Sequence, residues 1–189
     1  MSGNGASSGI PTARSIDHFA LTVPDLDQAV GFFVDYLGAE FVYRVGPIKD
    51  DGTWMKDALN VDAQASTEIA MLRLGEHTNL ELFVYTAAEQ SMTPPRNSDV
   101  GGSHIAFYVD DIQAAYDYVR AIDGVVMQLG PNAVNDGSEV DGVTFCYFLT
   151  PWGQQMEIIS TPRGMGYERN TSARMAPPPA LWRDNTAGP

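Results

Sequence analysis

The sequence predicts an α+β fold made of two βαβββ modules, and three observations support this prediction. The chain has 189 residues, of which 44% are hydrophobic, so it can bury a sizeable core. One pattern of residues begins at His18 and recurs at His104. Three strand-like runs then follow in each copy. A duplicated module explains the recurring pattern and the three strand-like runs in each copy.

Each module begins with a histidine and an apolar strand. The first reads SIDHFALTVPDLDQAVGFFVDYLGAEFVYRV, and the second reads GGSHIAFYVDDIQAAYDYVRAIDGVVMQL. With the histidines aligned, both show a strand, a valine, an aspartate-containing turn, an amphipathic helix, a glycine and a further strand. The shared order predicts that the two histidines occupy equivalent positions.

A helix follows the first strand of each module. Asp25 or Asp27 is the predicted N-cap of the first helix, and Asp110 or Asp111 that of the second, because a carboxylate accepts the free N–H groups of the first turn. Glycines at the far ends, Gly38 and Gly124, predict where the helices stop. The predicted buried stripes are Ala29, Phe32, Phe33, Tyr36 and Leu37 in the first helix, and Ile112, Ala115, Tyr116, Val119 and Ile122 in the second.

The remaining runs set the predicted domain boundaries. The first module spans 14–86 with an insertion at 46–66, and the second spans 103–162. A Pro/Gly/Ser-rich linker occupies 87–102. The Gly/Ser-rich residues 1–13 are expected to form a flexible leader, and 163–189 an irregular Pro-rich tail.

The composition limits the possible binding partners and the cellular compartment of the protein. The formal charge of −13 argues against nucleic acid and anionic membranes as partners. No apolar run approaches the ~20 residues of a membrane-spanning helix. The single cysteine, Cys146, allows no intrachain disulfide, so we expect a cytoplasmic protein. Its apolar surroundings predict a buried, inert thiol.

Two glutamates stand out because they interrupt apolar strands. Alternation along the last strand of the first module places Glu81 opposite the all-apolar face of Leu80, Leu82 and Val84, and Glu157 occupies the matching position in the second module. An unpaired charge there costs several kcal/mol. One divalent cation bound by both glutamates and by His18 and His104 would neutralise them. The alternative is two separate, buried His–Glu hydrogen-bonded pairs.

The chain resembles the vicinal oxygen chelate superfamily, which includes glyoxalase I, methylmalonyl-CoA epimerase and the extradiol dioxygenases. IDHFALTVPDLDQAVGFFVDYLGAE, NLELFVY, GGSHIAFYVDD and FLTPWGQQMEIIS carry this resemblance. It implies paired βαβββ modules forming a cupped mixed sheet around a metal, with His18, Glu81, His104 and Glu157 as ligands. Relatives build the site within one chain or across a dimer interface, and we expect a homodimer here.

The resemblance also implies a class of reaction. Four protein ligands leave about two of six octahedral positions for a small oxygenated substrate. We therefore predict a glyoxalase-like lyase, isomerase or epimerase that works through a metal-stabilised enediolate or enolate, with Glu81 or Glu157 moving the proton. The metal can be Ni, Co, Mn, Zn or Fe(II).

Two other functions stay open. An extradiol iron(II) dioxygenase needs two histidines and one carboxylate, and Glu81 would crowd its oxygen site. A non-catalytic binding or resistance protein would lack an intact ligand set.

Other polar and aromatic residues are candidates for contacting substrate. Tyr85 and Tyr108 share strand faces with Glu81 and His104, respectively. Arg44 and Arg73 are candidate ligands for an anionic group, with surface salt bridges as the alternative. Trp54, in the insertion, lines a lid or anchors the loop.

Overall fold

The computed structural model describes residues 10–178. The predicted leader before residue 10, and Leu181 and Trp182 in the predicted tail, lie outside the described residues. Contacts divide the chain into two compact units. Within the described residues, the first contains 10–50 together with Ser66–Tyr85, and the second contains Asp51–Ala65 and 86–178.

The first unit contains one helix and a four-stranded sheet. Its elements are β1 His18–Thr22, α1 Leu26–Gly31, a π-helical turn Phe32–Tyr36, β2 Glu40–Ile48, β3 Ser66–Leu74 and β4 Thr78–Thr86. The strand order is β1-β4-β3-β2, with β1 parallel to β4 and β2 antiparallel to β3. This is the predicted βαβββ order.

The second unit repeats this arrangement with shorter strands. Its elements are α2 Trp54–Leu59, β5 Ile105–Tyr108, α3 Ile112–Val119, β6 Val126–Met127, β7 Asn132–Ala133, β8 Thr144–Leu149, β9 Gln155–Ser160 and a 3₁₀ turn Gly166–Arg169. The order is β5-β9-β8-β6, with β7 paired to β8. Because β5 is parallel to β9 as β1 is to β4, the α+β class with two repeated modules is confirmed.

Helix starts follow the predicted capping. The carboxylate of Asp25 accepts the Gln28 N–H at 2.9 Å, and that of Asp111 accepts the Ala114 N–H at 2.9 Å. Each pair of candidate caps is thereby resolved to one residue. Gly38 follows the first helical segment at φ 72°, a conformation that glycine adopts without strain.

The helices cover the apolar faces of the sheets. In the first unit α1 packs on β3, and Leu80 and Leu82 of β4 are fully buried. In the second unit α3 packs on β9 and β8, and Phe148, Met156 and Ile158 are buried. The face of each sheet that carries the glutamate is therefore the one opposite its own helix.

Some apolar residues are less buried than their patterns suggest. Tyr36, predicted for the buried stripe of the first helix, is exposed at the end of the π-helical turn. Phe19 is 50% exposed because β1 is an edge strand with a neighbour on one side only. In the insertion, Met55 is fully buried whereas Trp54 is half exposed, so Met55 is the side chain that anchors α2.

Candidate active site

The two His–Glu pairs occupy the same register in the two sheets. Ala20, two residues after His18, lies opposite Glu81 across the parallel β1–β4 ladder. Ala106, two residues after His104, lies opposite Glu157 across β5–β9. Because side chains alternate along a strand, each histidine shares a face with the alanine beside its glutamate. The sequence repeat therefore produces a repeat in three dimensions.

In the first unit, the imidazole of His18 lies between two carboxylates. Its Nε2 is 3.2 Å from Glu81 Oε2, and its Nδ1 is 2.9 Å from Asp17 Oδ2. The hydrogen bond to Asp17 raises the pKa of His18, burial opposes the shift, and the charges of Glu81 and Asp17 add to it. The Glu81 side chain is 17% exposed, so solvent reaches this pair.

In the second unit, the pair is more deeply buried. His104 Nε2 is 3.1 Å from Glu157 Oε2, and the Glu157 side chain is only 9% exposed. Burial raises the pKa of Glu157, and the charge and hydrogen bond of His104 act in the opposite direction. This carboxylate needs a positive neighbour to keep its charge, which histidine or a bound cation can provide.

The donor set fits a divalent transition metal. Each pair presents one imidazole nitrogen and one carboxylate oxygen, and two such pairs make the N₂O₂ set that Zn, Ni, Co, Mn and Fe(II) accept. Within residues 10–178 no group of three or more His, Cys, Asp or Glu side chains is arranged to hold a metal ion. Each unit by itself thus supplies two of the four predicted ligands.

Three residues next to these pairs were not predicted from the sequence. Asp17 contacts His18, and Asn97 places its Oδ1 3.0 Å from His104 Nδ1. Tyr147 lies opposite Glu157 in the β8–β9 ladder and meets the His104 ring edge-on, with the ring centroids 5.2 Å apart. The short turn between β8 and β9 sets the register that places Tyr147 opposite Glu157, so this contact could have been predicted from the sequence. No sequence pattern indicates that Asn97 contacts His104.

The predicted substrate-binding tyrosines lie in partly buried positions. Tyr85 stacks on Phe83 with centroids 5.5 Å apart, on the face of Glu81. Burial is the main cause that raises the pKa of Tyr85, and the charge of Glu81 raises it to a lesser degree. A hydrogen bond with Thr67 lowers the pKa and so opposes both effects. Burial likewise raises the pKa of Tyr108, and Asp110 adds to this shift. Both phenols are therefore neutral at ordinary pH and can donate hydrogen bonds.

Both predicted arginines form ion pairs, the alternative considered for them. Arg44 contacts Asp27 at 2.5 Å and Glu68 at 2.9 Å, and Arg73 contacts Glu40. These contacts link strands of the first unit to each other and to α1. Binding of an anionic substrate by either guanidinium stays a prediction.

Comparison with known proteins identifies the family of the chain. The family model described as "Glyoxalase/Bleomycin resistance protein/Dioxygenase superfamily" matches residues 15–158. The chain belongs to this superfamily. The resemblance carried by the histidine and glutamate segments is thereby confirmed.

Individual members of the superfamily are also similar to the chain. A 2-epi-5-epi-valiolone epimerase of an Actinomyces species is 48% identical over 178 residues, covering 94% of this chain and 96% of the relative. A glyoxalase family protein of Bacillus cereus has a TM-score of 0.61 at 18% identity, covering 81% of this chain and 99% of that chain. One from Enterococcus faecalis has a TM-score of 0.54 at 19% identity, covering 77% and 97%, respectively. These two structures support the fold alone.

No helix in residues 10–178 is both long and apolar enough to cross a membrane.

Proposed function

We propose that this protein is a divalent-metal-dependent epimerase of a small, oxygenated cyclic ketone of the 2-epi-5-epi-valiolone type. The observation that carries the proposal is the repeated His–Glu pair, in the same register in both units. The 48%-identical epimerase supplies the substrate class. Because this relative is an epimerase, we favour an isomerase over the lyase, dioxygenase and non-catalytic functions that the sequence left open.

His18, Glu81, His104 and Glu157 are the proposed metal ligands. A divalent cation held there would supply Lewis-acid polarisation of the substrate carbonyl. Polarisation of this kind lowers the pKa of a C–H bond next to the carbonyl. A carboxylate near that carbon can then act as the base, and the metal charge balances the two glutamates.

Epimerisation needs one proton removed and one returned on the opposite face of the same carbon. In the proposed reaction one glutamate accepts the proton as the C–H bond breaks, which leaves an enediolate. The other glutamate then donates a proton to the opposite face, the new C–H bond forms with inverted configuration, and proton exchange with solvent returns both carboxyl groups to their starting states. Glu81 and Glu157 are the proposed acid–base residues. No oxidant or reductant is consumed.

Metal content and isotope exchange test this proposal. We expect protein purified without chelator to bind a divalent metal and to invert 2-epi-5-epi-valiolone, with deuterium entering the inverted carbon in D₂O. Glu81→Gln and Glu157→Gln should each reduce turnover by at least about 100-fold, the usual scale for loss of an acid–base group. Glu76→Gln is the matched control, because Glu76 lies beside the exposed His77 in a His–Glu pair outside the proposed site.

Two results would contradict the proposal. One is full turnover in both glutamine variants with no bound metal. The other is oxygen consumption with an iron(II)-loaded protein, which would favour the dioxygenase.

The predicted homodimer is part of this proposal. Large apolar side chains are about half exposed on the outer strand β2 of the first unit, as expected for an edge covered by a second copy: Phe41, Val42, Tyr43 and Val45. Light scattering will give the mass in solution.

Mixing two inactive variants tests whether one site draws ligands from two chains. His18→Ala and His104→Ala each remove one ligand from every site. If each site combines the first unit of one chain with the second unit of another, a mixed dimer has one intact site and recovers part of the activity. If each site lies within one chain, no mixture recovers activity. The cytoplasmic localisation stays a prediction.

A further inference from the structure

The imidazole of His104 is contacted on three sides within the second unit. Its Nε2 faces Glu157 at 3.1 Å, the ring of Tyr147 meets it edge-on at 82°, and its Nδ1 lies 3.0 Å from the side-chain oxygen of Asn97. Glu157 and Tyr147 belong to the central strands of the sheet. Asn97 comes from the segment that links the two βαβββ modules, so this segment does more than connect them.

A closed turn at residues 96–102 carries Asn97. The Asp99 carboxylate accepts the Arg96 N–H at 3.0 Å, and the Asp99 N–H donates to the Arg96 carbonyl at 2.9 Å. The Gly102 N–H then donates to the Asp99 carbonyl at 2.7 Å. A Cβ on Gly102 would lie 2.2 Å from the Arg96 carbonyl oxygen, so the turn closes only with glycine at this position.

The turn is also tied to the β8–β9 hairpin. Gln154 Nε2 donates to the Ser103 carbonyl at 3.2 Å, and the Gln154 N–H donates to Thr150 Oγ1 at 2.9 Å. Ser103 directly precedes His104. The backbone that enters β5 is therefore fixed to the hairpin that carries Tyr147 and Glu157.

The two units are alike at Nε2 of the histidine and unlike at Nδ1. Both Nε2 atoms face a glutamate. On the other side of the ring, His18 meets the carboxylate of the adjacent Asp17, whereas His104 meets a neutral amide seven residues away. An acceptor at Nδ1 fixes the plane of the ring and leaves Nε2 available as a ligand.

We infer that Asn97 is a positioning residue for His104, whose side-chain oxygen accepts the Nδ1 proton and keeps Nε2 directed toward Glu157 and the ion bound there. The presence of an ion there rests on the proposed function, whereas the orientation of the ring can be measured without metal. Asp17 has the same role for His18 but adds a negative charge. The two imidazoles therefore differ in their Nδ1 partner, which is a carboxylate for His18 and a neutral amide for His104.

Nuclear magnetic resonance on metal-free protein tests the orientation directly. The chain has only three histidines, so a His104→Ala spectrum assigns the ring protons of His104. We expect strong Overhauser contacts between the carbon-bound ring protons of His104 and the ring of Tyr147 in the wild type. These contacts should weaken in Asn97→Leu and in Gly102→Ala, which disturbs the turn without changing Asn97. Asn97→Asp keeps an acceptor and should retain them.

Zn²⁺ affinity, measured by competition with a chromophoric chelator, is the second readout. Loss of a residue that orients a metal ligand typically costs 10–100-fold in affinity, so we expect a loss of about this size in Asn97→Leu and none in Asn97→Asp. Ser98→Ala, in the same turn, should match the wild type in both measurements. Circular dichroism checks that each variant is folded.

The outcomes separate this inference from the proposed function. If Asn97→Leu keeps both the ring contacts and the Zn²⁺ affinity of the wild type, Asn97 does not position His104, and the metal site stands without it. If the ring contacts depend on Asn97 but the wild type binds no Zn²⁺, the positioning holds and the proposed metal site fails. Absence of the contacts in the wild type overturns the inference.

Discussion

Tyr147 lies directly across the β8–β9 ladder from Glu157, and its ring meets the edge of the His104 imidazole. One strand residue thus borders both members of the second His–Glu pair. Burial raises the pKa of the Tyr147 phenol, and the charge of Glu157 adds to this shift. The hydroxyl therefore stays protonated at neutral pH, and its ring packs against the histidine as a neutral aromatic group.

Truncating Tyr147 should separate the effect of its ring from that of its hydroxyl. Tyr147→Phe keeps the edge contact with His104, so we expect little change in Zn²⁺ affinity. Tyr147→Ala removes an aromatic contact worth about 0.5–1.5 kcal/mol in addition to buried area. We expect this variant to be less stable in urea and to bind Zn²⁺ several-fold more weakly. Equal Zn²⁺ affinity in the alanine variant and the wild type would show that the ring does not support His104.

Arg44 offers a test of the two functions considered for the arginines. Its guanidinium contacts Asp27 and Glu68 at a partly exposed position, and such pairs contribute about 0.2–1 kcal/mol. We expect Arg44→Gln to lower the free energy of unfolding by no more than this and to leave KM unchanged. The exposed Lys56→Gln controls for the loss of one positive charge. A several-fold rise in KM specific to Arg44→Gln would instead support binding of an anionic substrate group.

Cys146 should be unreactive until the protein unfolds. The thiol is fully buried and donates to the Leu129 carbonyl at 3.1 Å, and burial raises its pKa above the ordinary value. We expect a thiol-specific reagent at pH 8 to label native protein far more slowly than protein in urea. Equal labelling rates would contradict the buried position.

The same thiol predicts a dependence of stability on alkaline pH. Its pKa is higher in the folded than in the unfolded state, so the folded state retains the proton more strongly. The contribution of the protonated thiol to the free energy of unfolding is fully present below the thiol pKa of the unfolded state. It is lost as the pH rises from that value through the thiol pKa of the folded state. Unfolding in urea should therefore become easier above about pH 8.5, the ordinary cysteine pKa. Cys146→Ala should lack this part of the slope.

Gly166 should hold the 3₁₀ turn against the loop at residues 136–142. A Cβ at this position would lie 2.0 Å from the Ser138 carbonyl oxygen, and the neighbouring Tyr167 N–H donates to the Glu139 carbonyl at 2.9 Å. We expect Gly166→Ala to release this contact and to speed tryptic cleavage at Arg169 and Arg174. Ser172→Ala is the control, because it changes an exposed residue nearby. Unchanged cleavage would show that the loop gives way instead.

The sequence predicted the fold well because local patterns repeat in it. Asp25 and Asp111 start helices, and strand alternation around Glu81 and Glu157 separates the face of each sheet that packs on the helix from the face that carries the glutamate. Alternation is a property of each strand alone, so it needs no knowledge of which strands pair. The His–Glu contact within each unit follows once the first and last strands of the unit lie side by side.

The surroundings of the two histidines were harder to predict because they depend on longer-range geometry. The place of Tyr147 depends on the register of the hairpin. The position of Asn97 depends on a turn that Gly102 closes. In the sequence this turn is visible only as part of a Pro/Gly/Ser-rich linker. Phe19 and Tyr36 are more exposed than their apolar character suggests because one lies on an edge strand and the other at the end of a helical turn. Sequence patterns identify which side chains face a sheet or a helix, but they do not identify the loop residues that contact those side chains.

Asp17 and Asn97 show what a fused duplication makes possible for the evolution of an active site. In an assembly of two identical single modules, every mutation changes both halves of the site together. Here each half is encoded separately, and one histidine has an acidic neighbour whereas the other has an amide, although the ladders that carry the glutamates share the same register. The residue that contacts each histidine can therefore change under selection independently of the other.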